Sequence, residues 1–343
     1  MQQRKLSSSW AMKHSNISVF IPHIGCPHMC SFCDQRTISG AQHAPTGDEV
    51  REICRRALGE VREQENTEIA FFGGSFTAIP RDYMLELLEA AQEFLGPGKF
   101  RGIRCSTRPD CIDREVLELL KRYGVTAIEL GAQSMSDEVL EANERGHTAD
   151  DVVKACGLIR EYGFELGLQM MTGLYKSSPA DDTDTAVKIA ALRPDTVRIY
   201  PVVVLKGTRL AELFYKGEYR PAPFDDMVEL CAGIMSLFTE KGIRVIKCGL
   251  HASEFVEQDM AAGYYHPAFR ELCEAALYRR NMLRILTAEH SCKGSAVLAV
   301  NSRCISKAVG QKKSNIEYFW KRGYDVSIVG DDSVPVYECK LRR

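Results

Sequence analysis

The sequence predicts an α/β chain, a partial (β/α)6 barrel of TIM type followed by a small C-terminal α/β module. Three observations predict it. From residue 17 onward, short apolar runs alternate with longer amphipathic ones, the pattern of strand–helix units repeated around a parallel sheet. Six such units follow one another, two short of a full barrel. The residues with unusual chemistry fall where strands end, and in such barrels the C-terminal strand ends face one common mouth.

Taken in order, residues 17–23 form the first strand and 46–63 the first helix, with Thr46 as its cap and Glu49 completing a capping box. The second strand is 68–73, and its helix, 81–95, stops at Gly96-Pro97-Gly98. The third pair is 101–107 and 113–123. Strand four, 127–132, leads into helical stretches at 137–143 and 149–162. Strand five is 164–171 with a helix over 179–192, and strand six is 197–204 with a helix over 225–241. A further strand, 243–250, lies beside the barrel. Beyond it a helix opens at 266–272, followed by a strand at 295–300, a short helix at 315–322 and strands at 324–329 and 334–339. The resulting division is a basic tail over 1–16, the barrel over 17–265 and the module over 266–343.

The 343 residues are 45% hydrophobic and 26% charged, a balance that suits a soluble globular chain with a sizeable core. No run approaches eighteen apolar residues, so no membrane span is expected. The first sixteen residues are polar and basic, without the apolar segment of a secretion signal, which points to the reducing cytoplasm. In that compartment thirteen cysteines indicate a metal site plus buried thiols rather than disulfides. Ten of them, Cys54, Cys105, Cys111, Cys156, Cys231, Cys248, Cys273, Cys292, Cys304 and Cys339, show no second ligand spacing and are expected in the core. Net charge is -2, yet residues 291–343 carry ten Lys or Arg against five Asp or Glu, and Arg4, Lys5 and Lys13 stand in an N-terminal stretch without acid. Such ends can contact phosphates; ordinary solvated faces are the alternative.

The stretch Cys26-Pro27-His28-Met29-Cys30-Ser31-Phe32-Cys33 places three thiols at spacings of four and three residues, on the loop leaving the first strand. A tetrahedral zinc wants four ligands, with His23 or His28 as the fourth. An iron–sulfur cubane on three thiolates leaves one iron open to a non-protein ligand. At the next strand ends, Gly73-Gly74-Ser75-Phe76-Thr77 either lets backbone approach a ligand or makes a simple turn. Ser106-Thr107-Arg108-Pro109-Asp110 ends strand three, and Glu129-Leu130-Gly131-Ala132-Gln133-Ser134 ends strand four. Gln133 is either a ligand contact or internally satisfied. Twelve residues beyond it lies Arg145-Gly146-His147-Thr148. Strand five ends at Gln169-Met170-Met171, whose methionines read as core. Strand six carries Tyr200-Pro201, with Tyr200 either at the mouth or buried. Gly310 to Asn315, with Lys312 and Lys313, opens a helix as a phosphate cradle or a plain solvated start. His28 and His251 are alternative ligands or proton donors, or they satisfy local hydrogen bonds.

The Cys-x3-Cys-x2-Cys loop with Phe32 resembles the cluster loop of the radical S-adenosylmethionine (SAM) superfamily. Together with Gly73 to Thr77, Gly131 to Ser134, Arg145 to Thr148, Met170-Met171, Tyr200-Pro201 and Gly207-Thr208, the sequence over about 17–275 resembles the radical SAM domain of the Elongator catalytic subunit and its bacterial relatives. Oxygen-independent coproporphyrinogen oxidases are a more distant likeness. The resemblance implies a [4Fe-4S] cluster on Cys26, Cys30 and Cys33, with SAM chelating the open iron. It further implies that Gly73, Gly74 and Ser75 bind the SAM amino group, Arg145 its carboxylate and Gln133 its ribose. Ser106 and Gln169 stand where the oxidases carry ribose-binding carboxylates.

The implied chemistry is reductive cleavage of SAM to a 5'-deoxyadenosyl radical, fed by an electron donor such as flavodoxin or ferredoxin, with tRNA as the substrate. The oligomeric state stays open. The sequence departs from Elongator in its shorter cysteine spacing. Only about fifty residues follow position 290, too few for an acetyltransferase domain, and they lack an Arg-x-x-Gly-x-Gly/Ala phosphate loop. The alternatives are a radical SAM enzyme acting on a tetrapyrrole-type small molecule and a zinc-stabilised RNA-binding protein without catalysis.

Overall fold

In the computed structural model, which describes residues 15–22, 24–26, 29–40, 43–251, 253–289 and 293–342, the main strands are near-continuous buried runs. All six residues of the strand Gly102–Thr107 are buried, as are the first five of Thr67–Gly73. That pattern is what a parallel sheet covered on both faces requires. His23, His28, Cys292 and most of the basic tail lie outside the described residues.

In chain order the elements are β1 (Ser15–Ile21), α1 (Gln35–Ser39), α2 (Gly47–Glu60), β2 (Thr67–Gly73), α3 (Arg81–Gln92), β3 (Gly102–Thr107), α4 (Arg114–Arg122), β4 (Val125–Gln133), α5 (Asp137–Ala142), α6 (Ala149–Glu161) and β5 (Glu165–Thr172). There follow α7 (Pro179–Ala191), β6 (Thr196–Pro201), β7 (Val203–Leu205), α8 (Arg209–Tyr215), α9 (Phe224–Glu240), β8 (Arg244–Cys248), α10 (Glu254–Asp259), β9 (Met260–Gly263) and α11 (Phe269–Glu289). The last are β10 (Gly294–Val300), α12 (Ile305–Val309), α13 (Ser314–Trp320), β11 (Tyr324–Gly330) and β12 (Cys339–Arg342). The main sheet is parallel, in the sequential order β1-β2-β3-β4-β5-β6-β8. The α/β partial-barrel class expected from the sequence is the one found, and the strand expected beside the barrel, β8, joins the same sheet as its seventh strand.

The helices start where the caps dictate. Thr46 accepts from the Glu49 N–H while the Glu49 carboxylate accepts from the Thr46 N–H, and Thr148 with Asp151 and Ser178 with Asp181 repeat the box. On α4, Val116, Leu117 and Leu120 form one buried face, and Asp113 caps the Val116 N–H at 2.8 Å.

The chain packs as two units that divide within β5, Met1–Gln169 and Met170–Arg343. The second contains a three-stranded sheet, β11-β10-β12, parallel on one side of β10 and antiparallel on the other. Its core joins Tyr278, Met282 and Leu286 of α11 to Leu298, Val300 and Phe319. The strand expected at 334–339 is displaced to Cys339–Arg342. Pro335 offers no N–H to a ladder and Tyr337 has a left-handed φ of 69°, so residues 334–338 turn instead of extending. At Gly310 to Asn315, read either as a phosphate cradle or as a solvated helix start, Lys312 and Lys313 are left-handed, and the buried Asn315 points inward, donating to the Ala275 and Ala308 carbonyls. Of the cysteines expected in the core, Cys54, Cys105, Cys156, Cys231, Cys248, Cys273, Cys304 and Cys339 are buried. Cys111 is only half-buried, in a turn whose carbonyl accepts from Thr77. Met170 and Met171 are core, as read.

Candidate functional site

Every residue singled out for the cofactors lies in the first unit. The three-thiol loop leaves β1 and is pinned at its middle: the Ser31 N–H donates to the Asn143 carbonyl at 3.2 Å and the Ser31 hydroxyl to the Asn143 side chain at 2.8 Å. Asn143, fully buried at the end of α5, is held in turn by donation to Val139. Within the loop the Cys33 N–H donates to the Cys30 carbonyl, and Asp34 caps α1 through the N–H groups of Arg36 and Thr37. Cys30 is buried; Cys26 and Cys33 are half-buried.

The Gly-Gly loop after β2 packs directly on this loop. A Cβ on Gly74 would stand 2.1 Å from the Ile24 carbonyl oxygen, and one on Gly73, whose φ is +117°, 2.5 Å from that of Ile21. The sequence leaves a ligand approach and a simple turn open; what demands the glycines here is the backbone at the end of β1 and at the start of the three-thiol loop. Ser75 shares a hydrogen bond with Thr107 at 2.8 Å and accepts from the Arg108 N–H at 3.2 Å, tying the ends of β2 and β3 together.

Burial pushes the Cys26 thiol up, and the neighbouring Cys30 adds to this; the Ser75 N–H, Arg108 and Arg145 oppose it. Burial, then Cys30 and Cys26, push the Cys33 thiol up strongly. Neighbouring thiols disfavour ionisation at Cys26 and at Cys33, and Arg145 opposes this at both; a bound cation can deprotonate and hold such a set. Among the described residues, which do not include His23 and His28, no three Cys, His, Asp or Glu side chains are grouped to hold a single metal ion.

Arg145, predicted for a carboxylate, donates through Nη1 to the Cys30 sulfur at 3.0 Å and through Nη2 to the Gly131 carbonyl at 2.7 Å. Gln133 ends β4 with φ 63°, a left-handed conformation that a non-glycine residue adopts at a cost of roughly 1–3 kcal/mol. Its buried Oε1 has no partner among the described residues, and the same holds for Nε of Arg145, Nη1 of Arg108 and Nδ1 of His147. Four of the seven such atoms found among the described residues thus belong to one corner of the chain. Orphaned buried polar atoms gathered in one place mark where a ligand with matching donors and acceptors completes the structure. The residues present therefore fit both the cluster and SAM.

Ser106 and Gln169 are brought together, but on each other: the Gln169 amide donates to the Ser106 hydroxyl at 3.1 Å and to Glu129 at 2.8 Å. Glu129 belongs to a buried network in which Arg104 donates to Glu68 at 2.7 Å, to Glu129 at 3.4 Å and to Glu165 at 2.8 Å. The sequence assigns no role to Arg108, His147, Asn143 or Glu129. Arg108 and His147 lie within strand-end motifs, the signal that points to them; nothing in the sequence pairs Asn143 with Ser31 across 112 positions. The His147 Nε2–H donates to the Ala132 carbonyl at 3.2 Å, and burial, then Arg145 and Arg108, hold its imidazole down at about 4. Beside it opens a cleft lined in part by Met29, Glu141, Glu144 and Thr148.

A family profile described as the radical SAM superfamily matches residues 20–187, and one described as the radical SAM C-terminal domain matches 194–279. An uncharacterized protein of Methanocaldococcus jannaschii is 30% identical over 219 residues, covering 60% of this chain and 67% of that protein. The tRNA uridine(34) acetyltransferase of the same organism is 31% identical over 191 residues, covering 50% of this chain and 35% of that enzyme. The chain thus matches about two thirds of the first relative and about one third of the second. The solved archaeal Elp3 of Methanocaldococcus infernus, carrying an N-terminal deletion, superposes with a TM-score of 0.55 at 21% identity over 71% of this chain and 61% of that one. That likeness is one of fold. No helix among the described residues is long and apolar enough to cross a membrane.

Proposed function

This chain belongs to the radical SAM superfamily, an enzyme family whose cofactors are a [4Fe-4S] cluster and SAM, and on that premise we propose that it binds both at the corner described above and modifies a tRNA. Cys26, Cys30 and Cys33 hold the cluster. Gly73, Gly74 and Ser75 present backbone to the SAM amino group, Gln133 offers its unpaired Oε1 to a ribose hydroxyl, and Ser106 and Gln169 flank the ribose. Held by these residues and reduced by an external one-electron donor, the cluster and SAM would supply reductive cleavage of the sulfonium carbon–sulfur bond. The chain's own part is to orient and to exclude water: Asn143 fixes the loop, and Arg145 donates to the Cys30 sulfur from a dry interior.

The observation that carries the cofactor reading is the gathering of unpaired donors and acceptors around the three-thiol loop. The tRNA reading is supported by the match to an enzyme named for uridine 34 of tRNA. It is supported also by the excess of Lys and Arg after residue 290 and by Trp320, 67% exposed beside Lys321 and Arg322, a pairing suited to base stacking and phosphate contact. The test is a gel-shift titration of the reconstituted protein with total tRNA at 50 and 200 mM salt. Binding that weakens at least about tenfold over this range is expected from several phosphate contacts. No binding, or an affinity indifferent to salt, overturns the tRNA reading and turns the search toward a small-molecule substrate.

A further inference from the structure

Two buried guanidinium groups in the first unit each keep one nitrogen without an acceptor among the described residues. Arg108 directs Nε and Nη2 to the two carboxylate oxygens of Asp110, both at 2.9 Å, and Nη2 also to the Arg145 carbonyl at 2.5 Å; Nη1 has no partner among the described residues. Arg145 commits Nη1 to the Cys30 sulfur and Nη2 to the Gly131 carbonyl, leaving Nε unpaired. The fork of Arg145, through which an arginine grips a carboxylate bidentately, is therefore already engaged with protein atoms. Both side chains are at least nine-tenths buried, where an unpaired N–H is unfavourable. The Arg108–Arg145 hydrogen bond holds them in one cluster.

We propose that Arg108 is a second carboxylate-binding residue of the SAM site, its Nη1–H and the Nε–H of Arg145 donating to the carboxylate of the methionine moiety. The inference rests on the SAM reading above and extends it to a residue outside the predicted set. Asp110 is the positioning residue. Its two hydrogen bonds fix the plane of the Arg108 guanidinium before ligand arrives, so little freedom is lost on binding. Lysine, a point charge on a flexible stem, cannot keep the Asp110 bridge and present a further N–H in the same plane.

The test is calorimetric titration of the anaerobically reconstituted protein with SAM and, separately, with decarboxylated SAM. Arg108→Gln is expected to weaken SAM about tenfold or more while changing the affinity for decarboxylated SAM by less than about twofold, the coupling expected when the two deleted groups touch. Equal weakening of both ligands, or none of SAM, overturns the assignment. Should Arg108→Gln fail to load iron, Asp110→Asn replaces it, with a smaller loss confined to SAM expected and a loss shared by both ligands contradicting it. Wild-type protein that loads iron and sulfide yet binds neither ligand overturns the SAM reading itself, a separate failure.

Discussion

The Arg145 guanidinium donates from Nη1 to the Cys30 sulfur at 3.0 Å, across 115 positions of sequence and out of reach of solvent. A cation and hydrogen bond on a cluster thiolate favour the more negative, reduced state. Arg145→Gln is therefore expected to retain iron and sulfide, because the three thiols are intact, while shifting the cluster midpoint potential to more negative values. Redox titration followed by electron paramagnetic resonance checks this, and an unchanged potential would count against the contact.

Gly74 tolerates no side chain because the atom it would strike is backbone, the Ile24 carbonyl oxygen at 2.1 Å. Gly74→Ala is expected to destabilise the protein by about 2 kcal/mol, in the range of overpacking, and to lower iron loading by displacing the cluster loop. Gly59 in α2 is the control, since a Cβ there meets nothing within 4 Å. Gly59→Ala is expected to stabilise by about 0.5 kcal/mol with no effect on iron. Urea unfolding and iron assay separate the two.

Arg104 is fully buried among Glu68, Glu129 and Glu165. Removing it as Arg104→Met leaves three acids without their shared cation and is expected to cost about 3–5 kcal/mol. A denaturant series measures the loss.

His147 is held neutral at about 4 by burial and by the two arginines, below its ordinary 6.5. Its folded value is the lower one, so the unfolded chain binds the proton more tightly between pH 4 and 6.5. Stability from this residue is complete above about 6.5 and is lost as pH falls toward 4. The span corresponds to about 3 kcal/mol. His147→Gln should flatten the stability profile over that window; a profile as steep as the wild type's would assign the slope to other groups.

Much of this arrangement was legible in the sequence because it is local. The thiol spacing, the capping boxes at Thr46 and Thr148, and the apolar runs of β2 and β3 all depend on residues within one turn or one strand. What escaped depends on pairing at a distance. That Gly73 and Gly74 lie against the Ile21 and Ile24 carbonyls, 2.5 and 2.1 Å from where a Cβ would stand, is visible only in the fold. Ser106 and Gln169 stand in sequence at the positions of the oxidases' ribose-binding carboxylates, and only the fold shows Gln169 bridging Ser106 and Glu129. Glu68, Arg104 and Glu129 read as ordinary charged positions within strands, since a buried charge network has no period of its own. Residues 334–338 look strand-like by composition, and the left-handed Tyr337 after Pro335 is what denies them a ladder.

The central claim is that the three-thiol loop carries a cluster that cleaves SAM, and one measurement tests it most directly. Anaerobically reconstituted protein is reduced with dithionite in the presence of SAM, and 5'-deoxyadenosine is quantified by mass spectrometry, with Cys30→Ala in parallel. Release by the wild type and none by the variant is the predicted result. A wild type that carries iron and sulfide yet releases none, or a Cys30→Ala variant that releases as much, would contradict it.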